Sequence, residues 1–477
     1  MSMTPSTIAA SRRSLIAPSL GSSVRSVAGF GRPDVFISLH GDADPARGPV
    51  PTFGTLDRIE GEATLSVRAD TRFDRIEIAF VGTTATWLAL SSMREEASLT
   101  FLRLTQPIPA STLPHPRILT PESPLAIPFT FVVPTHLLQH TCPHPAVSAA
   151  HTLLPPSLGD PSVAGSGHVL KDDLAPAMAR IGYALTVRLL RESPRAGTPP
   201  IVLASATRKI RIVPSTPALP PALAGPAASD VRLSVEKALR RGLLGSRLGR
   251  LVMSAEPPAP FRVARPGGER EGGGEAPWTV LTLRLRFEPS RPDARPPSLG
   301  VLTARLRAAT GASVVRQGSF PREGGDGFAG GGQPQVYAAR VELAARQVGG
   351  VEWQRYEGAV PHYTAVVVVP VALPREKVWV PTFYSCLVSR TYVVSLKCEV
   401  GGVSVGVKVP VRVEVDGWDD GGVDLGEVEA EVEGVFAPRY VGWVAGPPGY
   451  SAFGGDGAGD GGGERWEREV RPVEVCG

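Results

Sequence analysis

"RIEIAFVG", Arg75 to Gly82, carries apolar side chains at alternate positions, Ile76, Ile78 and Phe80. Successive side chains of an extended chain point to opposite faces of a sheet, so this period of two reads as a strand with one buried side. The same period runs upstream through "DVFISLHG" (Asp34–Gly41) and "ATLSVRA" (Ala63–Ala69), and each stretch is bounded by Gly, Asp or Pro. Downstream, "IPFTFVVP" (Ile127–Pro134) is a short strand between prolines, and "IGYALTVRLLRE" (Ile181–Glu192) and "RKIRIVP" (Arg208–Pro214) close the first half. A second set begins at "GRLVMSA" (Gly249–Ala255). It continues through "WTVLTLRLRFEP", "VLTARLRAAT", "QVYAARVELAAR", "HYTAVVVVPVALP", "YVVSLKCEV" and "VSVGVKVPVRVEV", ending at Val415. No amphipathic helices separate these strands, which excludes a Rossmann-type parallel sheet and favours sandwiches. The expected fold is all-β: two tandem immunoglobulin-like sandwiches, residues 34–214 and 251–416.

Composition agrees with that reading. With 53 Gly and 48 Pro, both of which interrupt helices, the chain is built for strands and turns. A hydrophobic fraction of 42% is enough to fill real cores. The longest apolar run, Thr364–Leu373, is far short of the ~20 residues a membrane-spanning helix needs, so it reads as a buried strand. The four cysteines, Cys142, Cys386, Cys398 and Cys476, are few and scattered, which together with no recognisable signal peptide points to a reducing compartment.

Three further segments complete the expected organisation. Residues 1–33 carry arginine and serine without acid, a composition shared with transit peptides, and are read as a solvated basic arm. Residues 215–250 are a Pro/Ala-rich linker followed by "SVEKALRRGLLGSRLGRL", a basic stretch with partial helical periodicity that Gly242, Gly245 and Gly249 weaken. Residues 417–477 are rich in Gly, Asp and Glu and are expected to be disordered. Charge is unevenly spread. Arg191–Arg270 holds fourteen Lys/Arg against five Asp/Glu, whereas Glu414 to the end holds four against fifteen. A basic middle and an acidic end suit either mutual attraction or a basic face toward an anionic membrane.

Few residues offer chemistry. "HLLQHTCPHPAVSAAH" gathers His136, His140, Cys142, His144 and His151, which are zinc-type ligands. Pro143 and Pro145 break any helix that would align them, and no second cluster completes a four-ligand site, so a loop with ordinary polar contacts and no metal is expected. The Gly165–Gly167 "GSG" lacks a nucleophile-elbow context, and neither a phosphate loop nor a dinucleotide fingerprint occurs. No enzymatic activity and no cofactor are expected. Nucleic-acid binding needs interleaved aromatics, but residues 191–270 hold only Phe261. Arg240, Arg241, Arg247 and Arg250 are better candidates for contact with anionic lipid, against a solvated linker as the plainer reading. In the acidic tail lies Pro447-Pro448-Gly449-Tyr450, a P-P-x-Y peptide of the kind WW domains bind, through a polyproline II turn and a pocket-filling tyrosine.

Several stretches resemble arrestin-like proteins of the fungal, alpha-arrestin type. "TFGTLDRIEGEATLSV" (Thr52–Val67) with "FDRIEIAFVG" is similar to the opening of the arrestin N-terminal domain. "IPFTFVVPTHLLQHTCPHP", "HTLLPPSLGD" (His151–Asp160) and "KDDLAPAMARIGYALTV" (Lys171–Val187) resemble its middle. "VWVPTFYSCLVSRTYVVSLKCEV" (Val378–Val400) and "VKVPVRVEV" (Val407–Val415) resemble the last strands of the C-terminal domain. The likeness covers roughly Asp34–Val415 and is most specific at Leu153–Tyr183. It implies a two-lobed, non-catalytic adaptor that binds membrane transporters or receptors. Such proteins recruit a HECT-type ubiquitin ligase through PPxY peptides and so direct endocytosis. It also implies a cytoplasmic protein recruited to the plasma membrane or endosomes. One PPxY stands here where the pattern often has several. The chain has only six lysines, and Lys237, in the basic stretch read as exposed, is the expected ubiquitin acceptor. The alternative is a scaffold of the same fold, similar to retromer-type arrestin subunits, with a sorting role but no ubiquitin role.

Overall fold

The computed structural model describes residues 33–41, 50–90, 93–137, 141, 149–166, 169–195, 197–217, 232–240, 247–266, 276–316, 335–358, 360–417 and 473–474. Among these, regular structure is almost wholly strand. Two single-turn 3-10 segments, Ala110–Thr112 and Ala149–Thr152, are the exceptions, and there is no α-helix. The all-β expectation therefore holds. No helix among the described residues is long and apolar enough to cross a membrane.

The first half is built from β1 (Asp34–Leu39), β2 (Arg58–Ser66), β3 (Arg75–Leu90), β4 (Met93–Thr105), β5 (Leu125–Val132), β6 (Ala179–Arg191) and β7 (Ile201–Ile212). One antiparallel sheet has the order β1-β2-β5. The other runs β7-β6-β3-β4, with Thr52–Phe53 parallel to the end of β7. Alternation does what the sequence dictates: β2 and β6 bury every second residue. Ile59, Ala63 and Leu65 from β2 share a core with Ile78 and Phe80 of β3 and with Ile181, Tyr183, Leu185 and Val187 of β6. Aromatic rings fill its centre, with Phe80 5.9 Å and Phe101 5.5 Å from Tyr183 between centroids. Each such buried side chain contributes about 1.5–3 kcal/mol. An exposed ion pair such as Arg94–Glu96 contributes at most about 1 kcal/mol, so these apolar rows hold the fold.

The second half contains β8 (Ser234–Arg240), β9 (Arg247–Ala255), β10 (Trp278–Pro289), β11 (Leu299–Ala312), β12 (Gln335–Gln347), β13 (Gln354–Tyr356), β14 (His362–Ala372), β15 (Val388–Val400) and β16 (Val403–Val411). One sheet runs β8-β9-β10-β14-β13. The other runs β12-β11-β15, with β16 and Phe383–Tyr384 along the far side of β15. Their inward rows meet in a second core, where Leu281, Leu283 and Phe287 pack with Leu306, Val367, Val394, Leu396 and Val407. The Thr364–Leu373 run is indeed largely strand, with Ala365, Val367, Val369 and Val371 buried.

One expectation is corrected. The basic stretch after the Pro/Ala-rich segment is neither helical nor linker from Ser234 onward, because it forms the β8–β9 hairpin along one side of a sheet. Period two wins over partial helical period because Leu239, Leu251 and Met253 can all be buried from strands. The glycines noted there cost helix more than they cost a hairpin. The expected basic arm, the Pro/Ala-rich part of the linker at 218–231 and the acidic tail at 418–472 lie outside the described residues.

Candidate functional site

The most constructed polar region lies where the two halves meet. Its base is the stretch Leu154–Asp160. Pro155 and Pro156 are buried, and the Tyr183 hydroxyl, itself inside the core, donates to the Pro155 carbonyl. The Ser157 N–H donates to the Ile212 carbonyl and the Ile212 N–H to Ser157 Oγ, both at 2.9 Å. Leu158 and Ile181 exchange both backbone bonds, at 3.0 and 2.8 Å. The chain then turns through Gly159, whose φ of +73° is left-handed. A Cβ there would collide with the carbonyl oxygen of Ala179, so the position requires glycine. Every polar group of this stretch described above has a partner, which explains why its spelling is so particular.

Two carboxylates extend the base. Asp160 is 5% exposed and pairs with Lys209 Nζ at 2.7 Å. It also accepts from the hydroxyl of Ser162 at 2.7 Å and from its N–H at 3.1 Å. Burial alone would raise its pKa, but the Lys209 and Ser162 hydrogen bonds and the Lys209 charge outweigh it, and the carboxyl titrates below its ordinary range. Asp173 accepts from the N–H groups of Gly159 at 2.6 Å and Ala175 at 3.0 Å. Its own carbonyl accepts from Arg390 Nη2 of β15 at 3.0 Å.

From here the contacts cross between the halves. Asp172 pairs with Lys377 at 3.0 Å, Lys171 Nζ donates to the Arg375 carbonyl at 2.7 Å, and Thr86 Oγ1 donates to the Ser313 carbonyl at 2.6 Å. Burial pushes Asp172 up, but the Lys377 and Leu174 hydrogen bonds and the charges of Lys377 and Arg390 hold it below its ordinary value. On the other flank Arg265 pairs with Asp57, and Ser215 Oγ donates to the Asp416 carbonyl at 2.9 Å. Beneath these polar contacts the first core continues into Ala312, Val380, Phe383, Leu387 and Val388 of the second half. The junction is thus apolar inside and hydrogen-bonded at its edges.

Arg390 is the exceptional member. It is fully buried and stands in register with Thr310 on β11. Its Cζ lies 6.0 Å from the Tyr392 ring centroid. Nε and Nη1 have no hydrogen-bond partner among the described residues, and neither has Thr310 Oγ1. The sequence held a signal for this residue. Arg390 precedes Tyr392, Val394 and Leu396 on one inward row, and a charge on such a row demands an explanation.

The sequence candidates are placed as follows. Arg240 and Arg247 are exposed and face each other in register across β8 and β9. Arg250 is drawn to acid instead, with Nη2 2.6 Å from Glu236 and Nε 4.0 Å from Glu288. Arg241, Pro447, Pro448 and Tyr450 lie outside the described residues. Lys237 is exposed but belongs to strand β8, not to a mobile loop, and its Nζ donates to the Ser404 carbonyl at 3.1 Å. Of the histidine cluster, His136 Nδ1 lies 2.9 Å from Thr135 Oγ1 and His151 is buried in the 3-10 turn, whereas His140, Cys142 and His144 lie outside the described residues. The described residues hold no grouping of three or more metal-type ligands. No family model and no curated protein matches this chain.

Lys209 and Asp160 give a test of this region's energetics. Lys209→Met keeps the stem's packing but leaves a nearly buried carboxylate without its cation, and should destabilise the first half by about 2 kcal/mol at neutral pH. Because the folded pKa of Asp160 is depressed, the stabilisation is present above its unfolded value of 3.8 and is lost as pH falls through the lower folded value. The difference between wild type and variant, measured by urea unfolding, should therefore shrink below about pH 4. A difference that stays constant down to pH 2 would show that the pair carries no net stabilisation.

Proposed function

We propose that this chain is an arrestin-like trafficking adaptor of two tandem sandwich domains. Its sheet faces bind a membrane transporter or receptor, and its tail recruits a WW-domain HECT-type ubiquitin ligase for endocytosis. The observation that carries the reading is Pro447-Pro448-Gly449-Tyr450, set in a glycine-rich acidic stretch after the last strand of the second core. A WW groove needs an extended peptide it can surround, and a tail supplies one where a sheet could not. The apolar core and hydrogen bonds shared between the halves support the same reading, since an adaptor has to hold two bound partners together. Work at the cytoplasmic face of the plasma membrane or endosomes follows, with Arg240, Arg241 and Arg247 as the proposed contacts to anionic lipid. A single PPxY binds weakly alone, so cargo and lipid contacts supply the remaining avidity.

The lysine content makes the proposal testable. All six lysines are among the described residues. Lys209 and Lys377 sit in ion pairs, and Lys171 donates to a carbonyl across the junction. Lys237, Lys397 and Lys408 are exposed; Lys237 lies on the first strand of its sheet, and its Nζ donates to the Ser404 carbonyl at 3.1 Å. In a reconstituted reaction with a WW-domain HECT ligase, conjugates located by mass spectrometry should concentrate at Lys237. Lys237→Arg should reduce them, and Tyr450→Ala should abolish them. Undiminished conjugates in the Tyr450→Ala protein would overturn the proposal, and with it the preference over a scaffold without a ubiquitin role.

A further inference from the structure

Strand β14 is covered unequally on its two sides. Against β10 it is paired along nearly its whole length, from Tyr363↔Phe287 to Ala372↔Trp278. On the other side β13 covers only His362–Thr364. Beyond that point the partner of β14 comes from much further along the chain: β17 (Val473–Glu474) pairs with it in parallel, Val473 with Val367 and Glu474 with Val368. Among the described residues no other strand lies along this edge. Pro370, which has no N–H to donate, blunts the edge two residues further on. The usable edge is therefore Ala365–Val369, the length of one short strand.

The surroundings suit an extended apolar peptide. Val366 and Val368 are half-buried on the outward face, opposite Arg284 and Thr282 of β10, and further along the same row Val280, 37% exposed, and Trp278, 54% exposed, stand opposite Pro370 and Ala372. A bare strand edge with unpaired backbone groups would be an aggregation hazard if nothing covered it. The chain's last residues, "RPVEVCG", alternate apolar and polar through Val473-Glu474-Val475, the pattern of a strand that lies on such an edge. Pro472 restricts the residue before it to extended conformations. The two strands belong to one chain, joined in sequence through residues 418–472, so their meeting is intramolecular and a free peptide has to match the effective concentration this gives.

We infer that the β14 edge, Ala365–Val369, is a strand-addition site whose occupant is the chain's own Val473–Glu474 segment. Two residues of parallel ladder are too few to hold a free peptide tightly, so the site is occupied because the segment is tethered and opens when a better strand competes. The inference stands on the strand pairing and does not depend on the ligase reading.

Hydrogen exchange of the intact chain tests it, because only the alternate amides of Ala365–Val369 that point away from β10 depend on the tail. Deleting residues 471–477, or substituting Val473→Pro together with Glu474→Pro, should speed exchange of those amides at least tenfold. The rest of the second core should be unchanged, since neither change touches the folded body. A synthetic RPVEVCG peptide at millimolar concentration should restore protection to the truncated chain. Unaltered exchange at Ala365–Val369 in both tail variants would overturn the inference. Protection that rises with protein concentration, with dimers in light scattering, would overturn the assignment to the same chain and give the edge to a second copy.

Discussion

Gly159→Ala should be the most damaging single-atom change in the first half. Two costs combine. The left-handed backbone at φ +73° penalises any side chain by about 1 kcal/mol, and the new methyl would overlap the Ala179 carbonyl oxygen. That oxygen cannot move away cheaply, because Ala179 begins β6 and the neighbouring Leu158–Ile181 pair is bonded in both directions. The Gly159 N–H also holds the Asp173 carboxylate, whose backbone carbonyl accepts from Arg390, so the displacement reaches the junction. A loss of about 3 kcal/mol is expected, which for a domain of this size lowers the melting temperature by roughly 6–12 °C. Gly182→Ala is the matched control. It lies mid-strand in β6, and a Cβ there meets nothing within 4 Å. Removing a strand glycine should leave stability unchanged or raise it by about 0.5–1 kcal/mol. Equal melting temperatures for the two variants would contradict the role given to Gly159.

How far the sequence disclosed this structure depends on what kind of signal each part carries. Alternation is local, so β3, β6, β10 and β14 could be read directly from Arg75–Gly82, Ile181–Glu192, Trp278–Pro289 and His362–Leu373. Period two is legible over Gly249–Ala255 of β9, but not in β8 and the start of β9, where Leu239 is compatible with either period. Only the neighbouring strand β10, distant in sequence, decides between them. The junction was less legible still. Asp172 and Lys377, and Asp173 and Arg390, are separated by more than 200 residues, and nothing local announces which charges will meet. The spelling of Leu154–Asp160 did flag a special place, although its cause, a backbone turn locked between β6 and β7, needed coordinates. The pairing of Val473 with Val367 could not be read from sequence, because a three-residue alternation in a Gly/Asp/Glu-rich stretch names no partner strand.

Tyr450→Ala should have the largest effect on function. In a P-P-x-Y complex the prolines supply a preformed shape, and the tyrosine fills its own pocket. Aromatic anchors of this kind are interface hot spots, and truncating one to alanine typically costs about 2 kcal/mol or more, a weakening of roughly 30-fold. The melting temperature should not change, because Tyr450 is far in sequence from every residue of either core. Stability and recruitment are therefore separable by design: Gly159→Ala should lower the first and keep the peptide, while Tyr450→Ala should do the reverse. The decisive measurement is calorimetric titration of a HECT-ligase WW domain into the intact wild-type and Tyr450→Ala chains at matched ionic strength. Saturable one-to-one binding to the wild-type chain that is lost or weakened at least about 30-fold in the variant is the result expected of a ligase adaptor. Equal affinity for both chains, or no binding to the wild-type chain, would contradict it.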